Sequence, residues 1–139
     1  MTVNIVAFDP EYQPSIRAIR DEVFIGEQGI APEIEFDGQD GSAMHVLVAV
    51  DGVYAGTGRM LDDGHIGRIA ILRDYRGQGL GGRVVQALVN EAVGRGYPRV
   101  YLGAQKQAVD FYAKLGFTPY GEEFMEAGIP HLSMEKSLR

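Results

Sequence analysis

One glycine-rich stretch decides the fold of this chain: Arg76-Gly77-Gln78-Gly79-Leu80-Gly81-Gly82. It follows an apolar run at residues 66–72, typical of a strand, and precedes a helical apolar pattern at residues 83–93. Glycine lets the backbone approach a ligand closely, and the amides at a helix start attract anions. Arg76 adds a fixed positive charge. The stretch therefore predicts a phosphate or pyrophosphate site rather than a flexible turn that merely needs glycine.

Two familiar nucleotide-binding motifs do not fit this junction. The spacing Gly-x-Gly-x-x-Gly from Gly77 matches the dinucleotide fingerprint, which also requires an acid at the end of the next strand. The next predicted strand, residues 100–103, is followed by Ala104 and Gln105 and supplies no acid. A P-loop requires lysine and then serine or threonine, whereas Arg83 follows the last glycine. Both nucleotide-binding interpretations are therefore disfavoured.

Outward from the glycine-rich stretch, the pattern predicts an α/β (α+β) fold. A short strand is predicted first, then a helix capped by Ser15 with apolar residues through Phe24, then an acidic loop with a short helical turn. Predicted strands lie at residues 3–8, 45–50, 53–61, 66–72, 100–103, 117–120 and 131–134, and the later helices at 83–93 and 108–115. Tight turns after the second and third strands imply antiparallel neighbours. We expect one domain, residues 1–139, with a mixed, mostly antiparallel central sheet and flanking helices.

The composition of the chain excludes several kinds of site and several classes of protein. The 139 residues include no cysteine, which excludes disulfides, a thiolate nucleophile and any cysteine-containing zinc site; we expect no metal. The longest uncharged run, residues 41–50, is shorter than the roughly 20 residues of a membrane helix, and no signal-peptide pattern opens the chain. We therefore expect a cytoplasmic protein. The net charge of −6 argues against a nucleic-acid partner.

The charge is distributed unevenly along the chain. Residues 1–67 hold 12 acids and 3 bases, whereas residues 68–139 hold 7 acids and 10 bases. Seven acids and no base lie between residues 21 and 40, and four arginines with one acid lie between 68 and 83. The basic segment suits an anion and the acidic segment suits a cation. The acidic segment is equally consistent with a solvated surface loop.

Several motifs in order resemble one known family. Arg76-x-x-Gly79-x-Gly81 at a strand-to-helix turn resembles the coenzyme A pyrophosphate loop of the GNAT acetyltransferases. The flanking segments that fit it are Ile69-Ala70-Ile71, Asp74-Tyr75 and Phe111-Tyr112-Ala113-Lys114-Leu115-Gly116-Phe117. Further segments resemble the ElaA-like branch: residues 20–24 with 27–28, 56–59, 66–68, and 121–124 with 128–131. One departure is Arg73, where the family often has proline.

The resemblance covers nearly the whole chain and implies direct transfer of an acetyl group from acetyl-CoA to an amine. The amine itself attacks the thioester, so no protein nucleophile is needed, which suits a chain without cysteine. In this family, backbone groups of the strand before the loop pair with the pantetheine arm, and an amide there stabilises the developing oxyanion. The implied cofactor-binding residues are Ile69, Ala70, Ile71, Arg76, Gly77, Gln78, Gly79, Leu80, Gly81, Gly82, Gln105 and Tyr112.

The resemblance also implies catalytic groups. Tyr112 is the implied donor to the leaving thiolate, whereas its place on an apolar helical stripe would by itself favour a core residue. A base must take the proton of the ammonium, unless solvent carries it away. The candidates are Glu27, Glu33, Glu35, Asp37, Glu126, His45 and His131. Glu27, in the branch-like Glu-Gln pair, and His131 are favoured.

The acidic segment adds a hypothesis about the acceptor. Since the early helix and loop line the acceptor side in this family, we expect a small cationic amine, as a small molecule or a peptide, drawn in as ammonium. Dimers are common in the family, so the resemblance favours a homodimer. The alternative function is a catalytically silent acetyl-CoA-binding sensor of the same fold.

Overall fold

Seven strands form two antiparallel sheets that lie edge to edge. The computed structural model describes residues 1–139. The strands are β1 (Thr2–Val6), β2 (Met44–Val50), β3 (Val53–Met60), β4 (Ile66–Ile71), β5 (Arg99–Gln105), β6 (Thr118–Glu126) and β7 (Ile129–Ser137). The first sheet has the order β1-β2-β3-β4 and the second the order β5-β7-β6. The predicted fold class is confirmed, with the strands divided between two sheets.

The chain has five helices. They are α1 (Gln13–Arg20), a π-helix (Asp21–Glu27), α2 (Pro32–Glu35), α3 (Leu80–Gly94) and α4 (Val109–Lys114), with short 3-10 turns between elements. Of these helices, α1 and α3 cover opposite faces of the first sheet and α4 packs on the second. Side chains of β2 alternate between the faces: Val46 and Val48 join the core under α3, and Leu47 joins the core under α1. None of these helices has the length and apolar character that crossing a bilayer requires.

The first helix differs from its prediction at both ends. It begins at Gln13 rather than after a Ser15 cap, because Pro14 occupies the first turn, where its missing N–H costs nothing. After Arg20 the backbone widens into the π-helix instead of continuing as an α-helix. Val23 and Phe24 are still buried, as their spacing predicted.

A cleft opens between β4 and β5, the facing edge strands of the two sheets. They run parallel and meet at one bridge, between His65 and Tyr101. Beyond this bridge they separate toward Ile71 and Gln105. The cleft therefore exposes strand edges that lack a neighbouring strand, at the end where the glycine-rich loop leaves β4.

The last two strands are longer than predicted and form one hairpin. Glu126 pairs with Ile129 across a two-residue loop in which Ala127 has φ 53° and Gly128 has φ 75°. Two positive φ angles match the twist of a tight hairpin. The prediction of strands at 117–120 and 131–134 was too short, because residues of β6 are exposed and show no alternation of apolar and polar side chains.

Candidate active site

The cleft between the sheets contains a cavity with a volume of about 460 Å³. Its walls combine apolar side chains with ionisable ones, and ligand sites likewise place polar groups within a largely apolar lining. Its lining includes Ile69, Gln105, Tyr112, Glu126 and His131. Four predicted site residues, Ile69, Gln105, Tyr112 and His131, thus meet in one cavity although they span more than 60 positions of the sequence.

A bulge in β4 shapes the wall that faces β5. Thr57 pairs with Ala70 and Arg59 with Gly67, so β4 has one more residue than β3 over this stretch. The extra residue brings Arg68 to φ 55°, an unusual conformation for a side chain with a Cβ. Such bulges re-aim neighbouring residues, and here Ile69 lines the cleft. Sequence analysis gave no signal for this bulge.

The glycine-rich loop has the conformation that close approach to an anion requires. Gly77 and Gly79 have φ 81° and 79°, and a Cβ at either would meet nothing within 4 Å. Gly79 is the N-cap of α3 and supplies no side-chain cap. The first amides of α3 therefore remain without a partner in the helix, and they are available to a phosphate. By contrast, a Cβ at Gly81 would lie 3.3 Å from the ring of Phe111.

The guanidinium group of Arg76 donates hydrogen bonds to two partners, the Ile71 carbonyl and the Glu27 carboxylate. Its Nε donates to the carbonyl of Ile71 at 2.9 Å, and its two terminal nitrogens donate to the carboxylate of Glu27 at 3.0 and 2.8 Å. Arg73 adds a contact to Glu27 at 3.2 Å. The hydrogen bond from Arg76 lowers the pKa of Glu27. Glu27 is thereby a weaker base than an ordinary glutamate, and it lies outside the lining of the cleft.

A buried network of ion pairs occupies one wall of the cleft. Arg20 binds Glu35 at 2.7 Å and Asp40 at 2.6 Å, and both arginine and acids are buried. The other contacts are Arg59 to Asp37 (2.9 Å) and to Asp40 (3.1 Å), and Arg68 to Glu35 and to Asp37 (both 3.2 Å). We call these six residues, Arg20, Glu35, Asp37, Asp40, Arg59 and Arg68, the arginine network. It contains three positive and three negative side chains.

The network alters the interpretation of the acidic segment. Four of its seven acids, Glu27, Glu35, Asp37 and Asp40, are paired with arginines that lie outside residues 21–40. Burial raises the pKa of Asp37, but hydrogen bonds from Arg59 and Gln39 outweigh it and lower the pKa to about 2. Burial raises the pKa of Glu35 more than Arg68 and Arg20 lower it. The segment therefore offers less free negative charge than its composition suggests.

Tyr112 and Gln105 lie on the β5 side of the cleft. The Tyr112 ring packs edge-on against Phe111 and Phe117, with centroids 4.9 and 6.0 Å apart. Burial raises the pKa of Tyr112 to about 12, so the phenol stays protonated at neutral pH. Gln105 donates to the side chain of Gln28 at 2.8 Å, which links the π-helix side to β5 across the cleft.

His131 presents one ring nitrogen to the cleft. Its Nδ1 lies 2.7 Å from the carbonyl oxygen of Ile129. Because a carbonyl can only accept, Nδ1 carries the proton, and in the neutral ring Nε2 holds the lone pair. Nε2 lies 3.7 Å from a carboxylate oxygen of Glu126. The ring stacks on Phe124 with centroids 5.6 Å apart, which fixes its orientation.

The other candidate bases have different surroundings. His45 is fully buried, and its Nε2 lies 3.0 Å from the carbonyl oxygen of Asp40. Glu35 and Asp37 belong to the arginine network, and Glu33 is exposed outside the cleft lining. The network itself was missed by the sequence analysis. Arg59 and Arg68 belong to the segments 56–59 and 66–68 that resemble the ElaA-like branch. Their acidic partners lie 19 to 33 residues away, and sequence spacing alone does not reveal such pairs.

Comparisons with known proteins agree on one family. The family model described as acetyltransferase (GNAT) domain matches residues 17–138. The Bacillus subtilis protein named uncharacterized N-acetyltransferase YjcF is 39% identical, and the match covers 95% of this chain and 97% of YjcF. Escherichia coli ElaA has a similar structure, with a TM-score of 0.88 and 25% identity over 99% of this chain and 100% of ElaA. An acyl-CoA N-acyltransferase from Pseudomonas aeruginosa superimposes with a TM-score of 0.87 at 28% identity, over 99% and 100% of the two chains.

Proposed function

This chain belongs to the GNAT family and is a GNAT-type N-acetyltransferase, and we propose that it moves an acetyl group from acetyl-CoA to a small cationic amine by direct attack. The observation that carries the proposal is the cleft between β4 and β5, which begins beside the glycine-rich loop and contains Tyr112 and His131. We take residues 1–139 as one acetyltransferase domain. The cytoplasmic location and the homodimer stay predictions.

The donor is assigned to the glycine-rich loop and the adjoining part of β4. The pyrophosphate lies against the amides from Gly77 to Gly82, with Arg76 as the neighbouring cation. The free edge of β4 at Ile69 offers backbone groups to the pantetheine arm. The backbone groups of Ala70 point toward β3, like those of Leu72, whose N–H donates to the Ala55 carbonyl. The Ile71 carbonyl faces the free edge but is held by Arg76. Among Ile69, Ala70 and Ile71, the first is therefore the best placed to contact the thioester.

The proton transfers are assigned to His131 and Tyr112. The acceptor ammonium gives one proton to Nε2 of His131, and the free amine then forms a bond to the thioester carbon while the carbon–sulfur bond breaks. The hydroxyl of Tyr112 donates a hydrogen bond to the leaving thiolate. Because its pKa is about 12, well above that of a thiol near 8.5, it stabilises the sulfur rather than losing its proton. The nitrogen loses a second proton and the thiolate gains one, so one proton is released per acetyl group transferred.

Glu27 receives a different role from the one the sequence suggested. Its contacts with Arg76 and Arg73 occupy the two guanidinium groups that lie beside the glycine-rich loop. We propose that Glu27 holds Arg76 only while no donor is bound and that the pyrophosphate displaces it. A general base with a lowered pKa and two arginine partners would be poorly matched to neutral pH.

Replacing Glu27 with glutamine tests this role. We expect the Kd for acetyl-CoA to fall about threefold, since an exposed ion pair that competes with the phosphate contributes at most about 1 kcal/mol. We expect kcat to stay within about twofold of wild type. Calorimetric titration and steady-state kinetics measure the two quantities. A kcat loss of about 100-fold with an unchanged Kd would instead restore Glu27 as the base.

A direct assay tests the proposed function. The purified protein is mixed with acetyl-CoA and a panel of primary amines, and free thiol is measured over time. We expect amine-dependent thiol release and a product heavier by one acetyl group. Acetyl-CoA binding without thiol release for any amine would favour the silent sensor, and absence of binding would contradict the proposal.

A further inference from the structure

Glu126 is the acid of the cleft that has no arginine partner. Among the charged residues that line the cleft, Arg59 and Arg68 are committed to Glu35 and Asp37 within the arginine network. The side chain of Glu126 is 60% exposed, and its one charge contact is the 3.7 Å approach to His131. The uncompensated negative charge of the cavity therefore lies on the β6–β7 hairpin, not on the acidic segment at residues 21–40.

Gly103 on the neighbouring strand lies close to this carboxylate and adds no side chain beside it. A Cβ on Gly103 of β5 would lie 3.2 Å from the ring of Phe124, and 3.9 Å from both a carboxylate oxygen of Glu126 and Cδ2 of His131. An alanine at Gly103 would therefore press on the ring of Phe124 and would come into van der Waals contact with Glu126 and His131. The hairpin pairing of Phe124 with His131 and of Glu126 with Ile129 fixes the spacing of the group.

The distance between Glu126 and His131 suits a guest nitrogen. At 3.7 Å the carboxylate oxygen and Nε2 are too far apart for a good hydrogen bond to each other. A nitrogen beside both can lie about 2.9 Å from each, the ordinary length for an N–H donor. An ammonium has several N–H donors and fits such a pair of acceptors. A neutral hydroxyl has one donor and cannot satisfy both.

We propose that Glu126 is the recognition residue for the acceptor: it binds the ammonium of a primary amine and holds it against Nε2 of His131, and so selects cationic over neutral acceptors. This assignment rests on the proposed function, because it presumes that an amine enters the cleft. It moves cation recognition from the acidic segment to the hairpin. The carboxylate then also stabilises the imidazolium that forms when His131 takes the proton.

The test measures binding, so that it does not depend on turnover. The protein is saturated with coenzyme A, and the Kd of benzylamine is measured by calorimetry for wild type, Glu126→Gln and Glu123→Gln. Glu123 is the matched control, because it lies on the same strand and pairs with Lys106 at 3.0 Å outside the cleft lining. Benzyl alcohol serves as the neutral probe of nearly the same shape, and thermal melting checks that each variant is folded.

We expect Glu126→Gln to weaken benzylamine binding about tenfold, as the loss of one charge-assisted hydrogen bond predicts. Glu123→Gln should bind benzylamine as wild type does, and benzyl alcohol should bind all three proteins equally weakly. Equal benzylamine affinity in wild type and Glu126→Gln overturns the assignment, as does wild-type protein that binds the amine no better than the alcohol. Neither result affects the thiol-release assay, so a failure here is distinguishable from a failure of the proposed function.

Discussion

Replacing Gly79 with tryptophan is expected to abolish acetyl-CoA binding, with a Kd at least about 100-fold higher than that of wild type. Gly79 has φ 79° and lies at the N-cap of α3, with open space where its Cβ would be. An indole there fills the volume assigned to the pyrophosphate and covers the first amides of the helix. The left-handed conformation adds about 1–2 kcal/mol of strain for any residue with a Cβ.

The control for this strain is Gly96→Trp. Gly96 also has φ 79° and open space at its Cβ, but it lies beyond the other end of α3. The two variants should lose similar stability in thermal melting, whereas calorimetry should detect acetyl-CoA binding only in Gly96→Trp. Unchanged affinity in Gly79→Trp would show that the donor site is misplaced.

Replacing Tyr112 with phenylalanine is expected to lower kcat about 100-fold, because the leaving thiolate loses its hydrogen-bond donor. The Kd for acetyl-CoA should change by less than about twofold, since the ring and its contacts with Phe111 and Phe117 are retained. With its pKa at about 12, Tyr112 should keep its proton up to about pH 11, so its ionisation should cause no loss of activity between pH 8 and 10.

Tyr97→Phe is the matched control for the loss of a hydroxyl. Tyr97 packs against the same core but does not line the cleft. We expect its kinetics to equal those of wild type. Equal losses of kcat and acetyl-CoA affinity in Tyr112→Phe would indicate that Tyr112 is a packing residue. That is the alternative role that its position among apolar residues of the helix suggests.

The elements that the sequence predicted correctly are those that local pattern controls. Helix α3 and strands β2 to β4 have strong apolar periodicity and clear turn residues, and they lie within a few residues of their predicted positions. The hairpin of β6 and β7 was predicted too short, since its exposed strand carries no alternation to detect. The π-helix after Arg20 likewise has no local signature in the chain.

The sequence by itself determined the family, and it predicted a phosphate site at the glycine-rich loop with Tyr112 and His131 as candidate catalytic residues, because these inferences depend on residue type and short spacing. Only the tertiary structure decided how the charges are partnered. Arg59 and Arg68 neutralise the charges of Glu35 and Asp37, and Arg76 pairs with Glu27. The carboxylate of Glu126, beside His131, is therefore the one in the cleft without an arginine partner. Ion pairing depends on distances of a few ångströms between residues that lie tens of positions apart, and composition cannot supply those distances.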